Sequence, residues 1–414
     1  MTEKKRIEIE KIISDGRGIG RNEGIIYFVK RSAPFDILIV NENKIKKNYI
    51  ECTINSFEKE SPLRIIPKCR YYNLCGGCDL QHIKFDYHRE IKTGILRDLL
   101  LKNARIDYKK RIEYIFKEEF KYRNKITLSI ENKRVGLLRE KTNSLVEIDE
   151  CILCFDEINA VLNDLKEKFD YDNKINKVVI KNSRLGKTLI SFYTDYLKTD
   201  EIPSFIKNIN SDNINIVLKD KSTVFIKGKG VLTDIIDGRI FSYSHSTFMQ
   251  VNSGVFDEMA IYLKEHIMKG KTFIDLYSGV GLYSILFSDY FKEIVSVESN
   301  KLSVYFQRRN LQQNKIKNVN VVQKYINEKM ILDDYYFQCC LINPPREGVH
   351  PIVMKNIFDS ISKEIIYISC NAATLGRDLK IMTGSGFEIK DICIFDMFPN
   401  TIHFETVVIL QKNL

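Results

Sequence analysis

Cys370 closes an apolar run, Glu364-Ile365-Ile366-Tyr367-Ile368-Ser369, and stands before the helix-like Thr374-Leu375-Gly376-Arg377-Asp378-Leu379. A thiol between a strand end and a helix N-terminus meets the positive end of the helix dipole, which favours the nucleophilic thiolate. Burial is the ordinary fate of a strand-end cysteine, and Cys52, Cys339, Cys340 and Cys393 are read that way. Glu405 follows Thr401-Ile402-His403-Phe404 and precedes a last strand, Thr406-Val407-Val408-Ile409-Leu410. Alone it is a solvated acid; beside an activated thiol it is a candidate proton acceptor.

A second group has the form of a nucleoside site. Thr272-Phe273-Ile274-Asp275-Leu276 reads as a strand, Tyr277-Ser278-Gly279-Val280-Gly281 as the turn after it, and Leu282 to Phe287 as the start of a helix. In a doubly wound sheet such a turn sits at the carboxyl edge, where ligands bind, and Gly279 and Gly281 let the backbone approach closely. The third glycine of a dinucleotide fingerprint is missing, which argues against NAD. Glu298, 17 positions after Gly281, ends the next strand and suits the two ribose hydroxyls of an adenosyl group. S-adenosylmethionine is the natural candidate. The strand Cys339-Cys340-Leu341-Ile342 runs into Asn343-Pro344-Pro345-Arg346, where the prolines hold the chain extended and turn Asn343 toward the same crevice.

A nucleophilic thiol, a base and a methyl donor together suit carbon 5 of uracil, which is too weak a nucleophile to take a methyl group unaided. Thiolate addition to carbon 6 creates an enolate that can attack the methyl group, and a general base then removes the carbon 5 proton. Cys370 and Glu405 fill those roles. The base must lie outside a stack to be reached from both faces, so the target uracil is flipped or looped.

The third group is Cys69, Cys75 and Cys78, spaced by five and two intervening residues on a loop with Gly76 and Gly77. Cys151 or Cys154 supplies a fourth thiol. Four thiolates suit zinc or a [4Fe–4S] cluster, and spacing does not choose between them; a redox pair or no metal are the alternatives.

These groups need three units to position them. Ile7 to Ile54 alternate in short runs broken by Asp15-Gly16-Arg17-Gly18, which fits a five-stranded barrel of the oligonucleotide-binding type over residues 1–58. Residues 59–240 mix strands with charged helices as a central α+β domain, with a helix at about 87–110 free to pack on the last unit. Residues 241–414 alternate strand and helix, the pattern of a Rossmann-like α/β sheet. The 64 Lys and Arg against 54 Asp and Glu favour a polyanionic partner, with Lys44 to Lys47 and Lys109-Lys110-Arg111 as candidate phosphate contacts or plain solvated faces. No uncharged apolar run approaches the roughly 18 residues that span a bilayer, and the N-terminal residues alternate Ile and Glu rather than forming a signal segment. A cytoplasmic location, with reduced thiols and no membrane partner, is expected.

Over nearly its whole length the chain resembles the RNA uracil-5-methyltransferase family whose members carry an iron–sulfur cluster. Cys75-Gly76-Gly77-Cys78-Asp79-Leu80-Gln81-His82 resembles the cluster motif, Phe248-Met249-Gln250-Val251-Asn252 the segment whose Gln contacts the donor, Ser369-Cys370-Asn371 the nucleophile motif and His403-Phe404-Glu405 the base motif. The resemblance implies an N-terminal TRAM domain, a [4Fe–4S] cluster on Cys69, Cys75, Cys78 and Cys151, and S-adenosylmethionine against Gln250, Tyr277, Gly279, Gly281, Glu298 and Asn343. It also implies RNA rather than DNA as substrate, with 23S ribosomal RNA favoured. Asn343 stands where the family has Asp, Leu282 where some relatives have a polar contact, and Gln323-Lys324-Tyr325 lacks the acid after the third strand. Methylation of transfer RNA is the competing reading within the enzyme class; an inactive RNA-binding assembly factor is the one outside it.

Overall fold

The alternating Ile residues near the N-terminus do form strands in the computed structural model, which describes residues 4–170, 174–196, 198, 202–327 and 336–412. Lys4–Glu8, Lys11–Ile12, Gly18–Asn22, Ile25–Val29, Ile37–Ile45 and Tyr49–Lys59 make one sheet around Ile7, Ile9, Tyr27, Val29, Leu38 and Val40. It has six strands rather than the five expected, because the Asp15-Gly16 turn folds Lys11–Ile12 back onto Gly18 and Ile19 as a short extra pair. The sheet curls enough to bring Gly20 against the first strand: a β-carbon there would stand 2.2 Å from the Glu8 carbonyl oxygen, so only glycine fits.

Residues 125–227 form a seven-stranded sheet covered by the helix Asp156–Lys168, which buries Ile158, Val161, Leu162 and Leu165 at helical spacing. It is the one α-helix among the described residues of that stretch, fewer than the sequence suggests. Short polar stretches between its strands close as turns instead.

The last sheet has eight strands in the order Val319–Gln323, Phe291–Glu298, Gly270–Leu276, Phe337–Ile342, Ile361–Ser369, Glu405–Lys412, Phe387–Phe395, Glu113–Ile115. The first five are parallel. Glu405–Lys412 then enters antiparallel between Ile361–Ser369 and Phe387–Phe395. Helices cover both faces, so the central strands are buried on both sides and read as unbroken apolar runs. Chain from residues 88–115, far earlier in the sequence, joins this unit. Glu113–Ile115 pairs at its edge, and the helix His88–Leu99 packs Ile91, Ile95 and Leu96 into the same core as Leu375, Leu379 and Met382 of the helix Ala372–Gly384. Among the described residues no helix is long and apolar enough to cross a membrane.

That docked helix buries a charge. Lys92 is fully inaccessible, and its ammonium donates to Asp396 Oδ1 at 2.6 Å and to the carbonyls of Phe398 and His403 at 3.3 and 3.0 Å. The other oxygen of Asp396 accepts from the Tyr114 hydroxyl at 2.5 Å. Removing one partner of a buried pair strands the other charge, at a cost of about 3–5 kcal/mol. Lys92→Met is therefore expected to lower the unfolding free energy of this sheet by that amount, read as a lower midpoint in urea; an unchanged midpoint would show that the pair adds nothing.

Candidate active site

Strand register brings the two candidate catalytic residues together. Ser369 pairs with Thr406 across the antiparallel ladder, which sets Cys370 and Glu405, one position further on each strand, side by side at the same edge. Cys370 is half-buried and lines a cavity of about 210 Å³ with Arg346, Asn371, Ile402, His403 and Phe404. Asn371 caps the following helix, its Oδ1 accepting from the Ala373 amide at 3.0 Å, while its Nδ2 donates to the Arg346 carbonyl at 3.1 Å. The cap thus fixes the exit of the Cys370 strand and the Pro-Pro-Arg turn against one another.

The electrostatics correct one expectation. The Cys370 thiol is not held low by the helix dipole; it is raised, chiefly by burial and then by the Glu405 carboxylate, with Arg346 acting in the opposite sense through charge and a hydrogen bond. The helix begins two residues later, at Ala372, and the amide of its second residue, Ala373, is already committed to Asn371. Glu405 is buried, and desolvation pushes its carboxyl up to about 8 against the pull of the same arginine. A carboxyl that is protonated at neutral pH repels a thiolate less than a carboxylate would.

Arg346 is the residue that reading by strand ends overlooked, although the signal lay in the Pro-Pro-Arg turn itself. Its guanidinium is the cation placed to favour both anions. In an Arg346→Gln variant both groups ionise later, so the pH profile of Cys370 alkylation by iodoacetamide is expected to move to higher pH. A profile at or below that of the native protein would remove the arginine from the site.

The glycine turn adjoins this edge. Tyr277 adopts a left-handed φ of 63° and is half-buried, and Asn343 donates its amide to the Leu276 carbonyl at 3.4 Å, which sets the start of the Pro-Pro turn beside it. Gly279 donates to Glu298 Oε2 at 2.9 Å, while Oε1 accepts the amides of Ser299 and Asn300 at 2.8 and 2.7 Å. The expected ribose acid is thus tied to the turn by its own backbone. Gly281 has φ 87°, and a β-carbon there would press within 2.7 Å of Gln307 Cγ, so both conformation and packing require glycine. Gln250 is buried and bonds the Tyr283 hydroxyl, which lies within electrostatic range of Glu405. The six expected donor contacts therefore divide. Tyr277, Gly279, Gly281, Glu298 and Asn343 sit at the ends of three neighbouring parallel strands, whereas Gln250 bonds the Tyr283 hydroxyl.

Asp275 is a second residue that strand-end patterns do not mark. It is fully buried, accepts from the Ser284 amide and hydroxyl at 3.0 and 2.5 Å on one oxygen, and leaves the other without a partner among the described residues. Burial pushes its carboxyl up to about 7. An acid inside an otherwise apolar strand was the available clue.

Cys69, Cys75, Cys78 and Cys151 line a separate cavity of about 160 Å³. Gln81 bridges two of them, accepting from the Cys69 amide at 3.1 Å and donating to Cys78 Sγ at 3.2 Å. Cys154 is buried in the core behind, hydrogen-bonded to Cys151, which it holds low at about 6. Among the described residues no three His, Cys, Asp or Glu side chains converge on one point as a single metal ion requires.

Comparison with known proteins places this architecture. Residues 106–413 match the model of the tRNA (uracil-5-)-methyltransferase family. An uncharacterized RNA methyltransferase of Bacillus cereus is 27% identical over 98% of this chain and 96% of its own length. One of Thermotoga maritima is 27% identical over 99% of each. Among solved structures, the Pyrococcus abyssi tRNA (uracil-54, C5)-methyltransferase in complex with S-adenosyl-L-homocysteine superposes with a TM-score of 0.78 at 27% identity, covering 98% of this chain and 99% of that one. The chain belongs to the tRNA (uracil-5-)-methyltransferase family and is an RNA (uracil-5-)-methyltransferase.

Proposed function

We propose that this enzyme methylates carbon 5 of a uracil in structured RNA with S-adenosylmethionine as donor, Cys370 as nucleophile and Glu405 as proton acceptor. The adjacency of Cys370 and Glu405 at one strand edge, next to Arg346 and the glycine turn, carries the reading. S-adenosyl-L-homocysteine in the Pyrococcus abyssi structure supports the donor, and Tyr277, Gly279, Gly281, Glu298, Asn343 and Gln250 are the residues that would hold it. When bound, it supplies an electrophilic methyl group. Cys370 adds to carbon 6, and the electron pair of the 5,6 double bond moves into the carbon 4 carbonyl. Arg346 stands where it favours the thiolate before addition and after elimination. Carbon 5 then takes the methyl group, Glu405 accepts the carbon 5 proton, and the carbon–sulfur bond breaks to restore the double bond and the thiolate.

The four thiols around the second cavity fit a [4Fe–4S] group, in which each thiolate binds a different iron and no two need share a centre. That accords with their lining a cage instead of converging on a point. Cys69, Cys75, Cys78 and Cys151 would hold it, with Cys154 donating to the Cys151 sulfur. The curled N-terminal sheet is the unit suited to hold RNA in the manner of a TRAM domain, and Lys44, Lys46 and Lys47 are exposed at its edge. Reduced thiols of this kind suit the cytoplasm.

For the substrate, motif resemblance favours 23S ribosomal RNA. A second reading, transfer RNA, is favoured by the activity of the Pyrococcus abyssi protein. Unmodified transcripts of both, tritiated at carbon 5 of uracil, test the proposal. Release of tritium to water in step with methyl incorporation is expected from one of them; methyl incorporation without release would place the methyl group on another atom.

A further inference from the structure

The loop that carries the cysteines is bonded directly to the turn that carries Glu405. Residues 396–404 link the strand Phe387–Phe395 to Glu405 and have no regular structure of their own. Something must hold them, because Glu405 is useful as a base only at one distance from the reacting carbon. Together with its neighbour Leu80, Asp79, the residue after Cys78, supplies three of the bonds. Its amide and that of Leu80 both donate to the Asn400 carbonyl at 3.0 Å, and its Oδ2 accepts from the Ile402 amide at 3.0 Å, three residues before Glu405. Asn400 sits at a left-handed φ of 66°, so the tight bend of the turn falls where the cysteine loop grips it. The grip is braced from behind. Tyr72 donates its hydroxyl to the Asp79 carbonyl at 2.6 Å, and Arg31 donates to the carbonyls of Cys78 and Tyr72 at 2.8 and 3.1 Å.

Resting on the methyl-transfer reading above, we propose that Asp79 is a positioning residue for Glu405, through which the cysteine-lined loop sets the proton-accepting step. This gives the loop a mechanical task in a reaction that moves no net electrons between groups. Of its bonds, only the carboxylate to Ile402 depends on the side chain, and that bond can be removed or kept by substitution. Asparagine retains an acceptor oxygen at the same place, whereas alanine leaves the Ile402 amide unmet.

The test compares full-length native protein, Asp79→Ala and Asp79→Asn on two RNAs, one with ordinary uracil and one with 5-fluorouracil. Fluorine cannot leave as a proton, so the covalent adduct with fluorinated RNA reports Cys370 addition and methyl transfer without the Glu405 step. Asp79→Ala is expected to form this adduct at the native rate. Its kcat on ordinary uracil should fall by up to about 100-fold, the loss that a displacement of about 1 Å can cause, with kcat/KM for RNA near native because the slowed step follows methyl transfer. Asp79→Asn should recover most of kcat. Native turnover by Asp79→Ala, equal loss in both variants, or equal slowing of adduct formation and turnover would each overturn the proposal. Should the alanine variant fail to fold, Asp79→Ser, whose hydroxyl falls one bond short of the Ile402 amide, takes its place with the same readouts. Absence of any adduct with native protein would instead overturn the reading of Cys370 itself.

Discussion

Cys370→Ala is expected to abolish turnover, lowering kcat/KM by about 10⁴-fold or more, the scale seen when a covalent nucleophile is deleted. The physical reason is that carbon 5 of uracil becomes a nucleophile only while the thiolate occupies carbon 6. Nothing else at this edge can substitute: Asn371 is committed to the helix cap, and Cys339 and Cys340 are sealed inside their strand. The same variant should bind donor and RNA normally, because the residues expected to hold the donor and the exposed lysines of the N-terminal sheet are left in place. It should form no adduct with RNA containing 5-fluorouracil. Methyl transfer by Cys370→Ala at the native rate, measured with labelled donor, would remove the thiol from the mechanism.

Glu405→Gln separates the two halves of the reaction. Loss of a general base costs about 10²–10⁴-fold, but here the loss falls after methyl transfer. Addition and methylation proceed, the carbon 5 proton stays, and the carbon–sulfur bond cannot break. A denaturant-resistant protein–RNA complex is therefore expected to accumulate with ordinary uracil, carrying one methyl group from labelled donor. Slow turnover without that complex would mean that proton removal is not the blocked step. The native enzyme should also show a pH dependence of definite sign. Burial holds the Glu405 carboxyl up at about 8, so the base form is the minor one at neutral pH. The kcat profile is expected to rise as pH climbs through that value, and the kcat/KM profile to rise with pH as well because the Cys370 thiol is pushed up.

Much of the site could be read from local pattern. Each strand end of an α/β sheet announces itself as an apolar run followed by a polar or glycine-bearing turn, so sequence pattern alone puts Tyr277 to Gly281, Glu298, Asn343 and Cys370 at one edge. The cysteine loop was legible for the same reason: spacing is local. The misses are of another kind. The ionisation of Cys370 depends on burial and on Glu405 and Arg346, none of which its neighbours in sequence reveal. Arg346 looked like the tail of a turn, and Asp275 like a break in a strand. The sixth N-terminal strand needed the Asp15-Gly16 turn to close in one particular direction.

By itself the sequence determined that this protein has a thiol, a carboxylate, a glycine turn and a four-cysteine set, each at an element end that a periodic pattern marks, because side-chain period and turn chemistry are properties of short segments. Which of them meet is set by long-range packing. Antiparallel insertion of Glu405–Lys412 beside Ile361–Ser369 aligns Ser369 with Thr406 and so brings Cys370 to Glu405. Docking of the helix His88–Leu99 buries Lys92 against Asp396, and the Cys78-Asp79 segment closes on Asn400 and Ile402. These contacts join residues up to hundreds of positions apart. Their pairing follows from long-range packing and register, which no local pattern encodes.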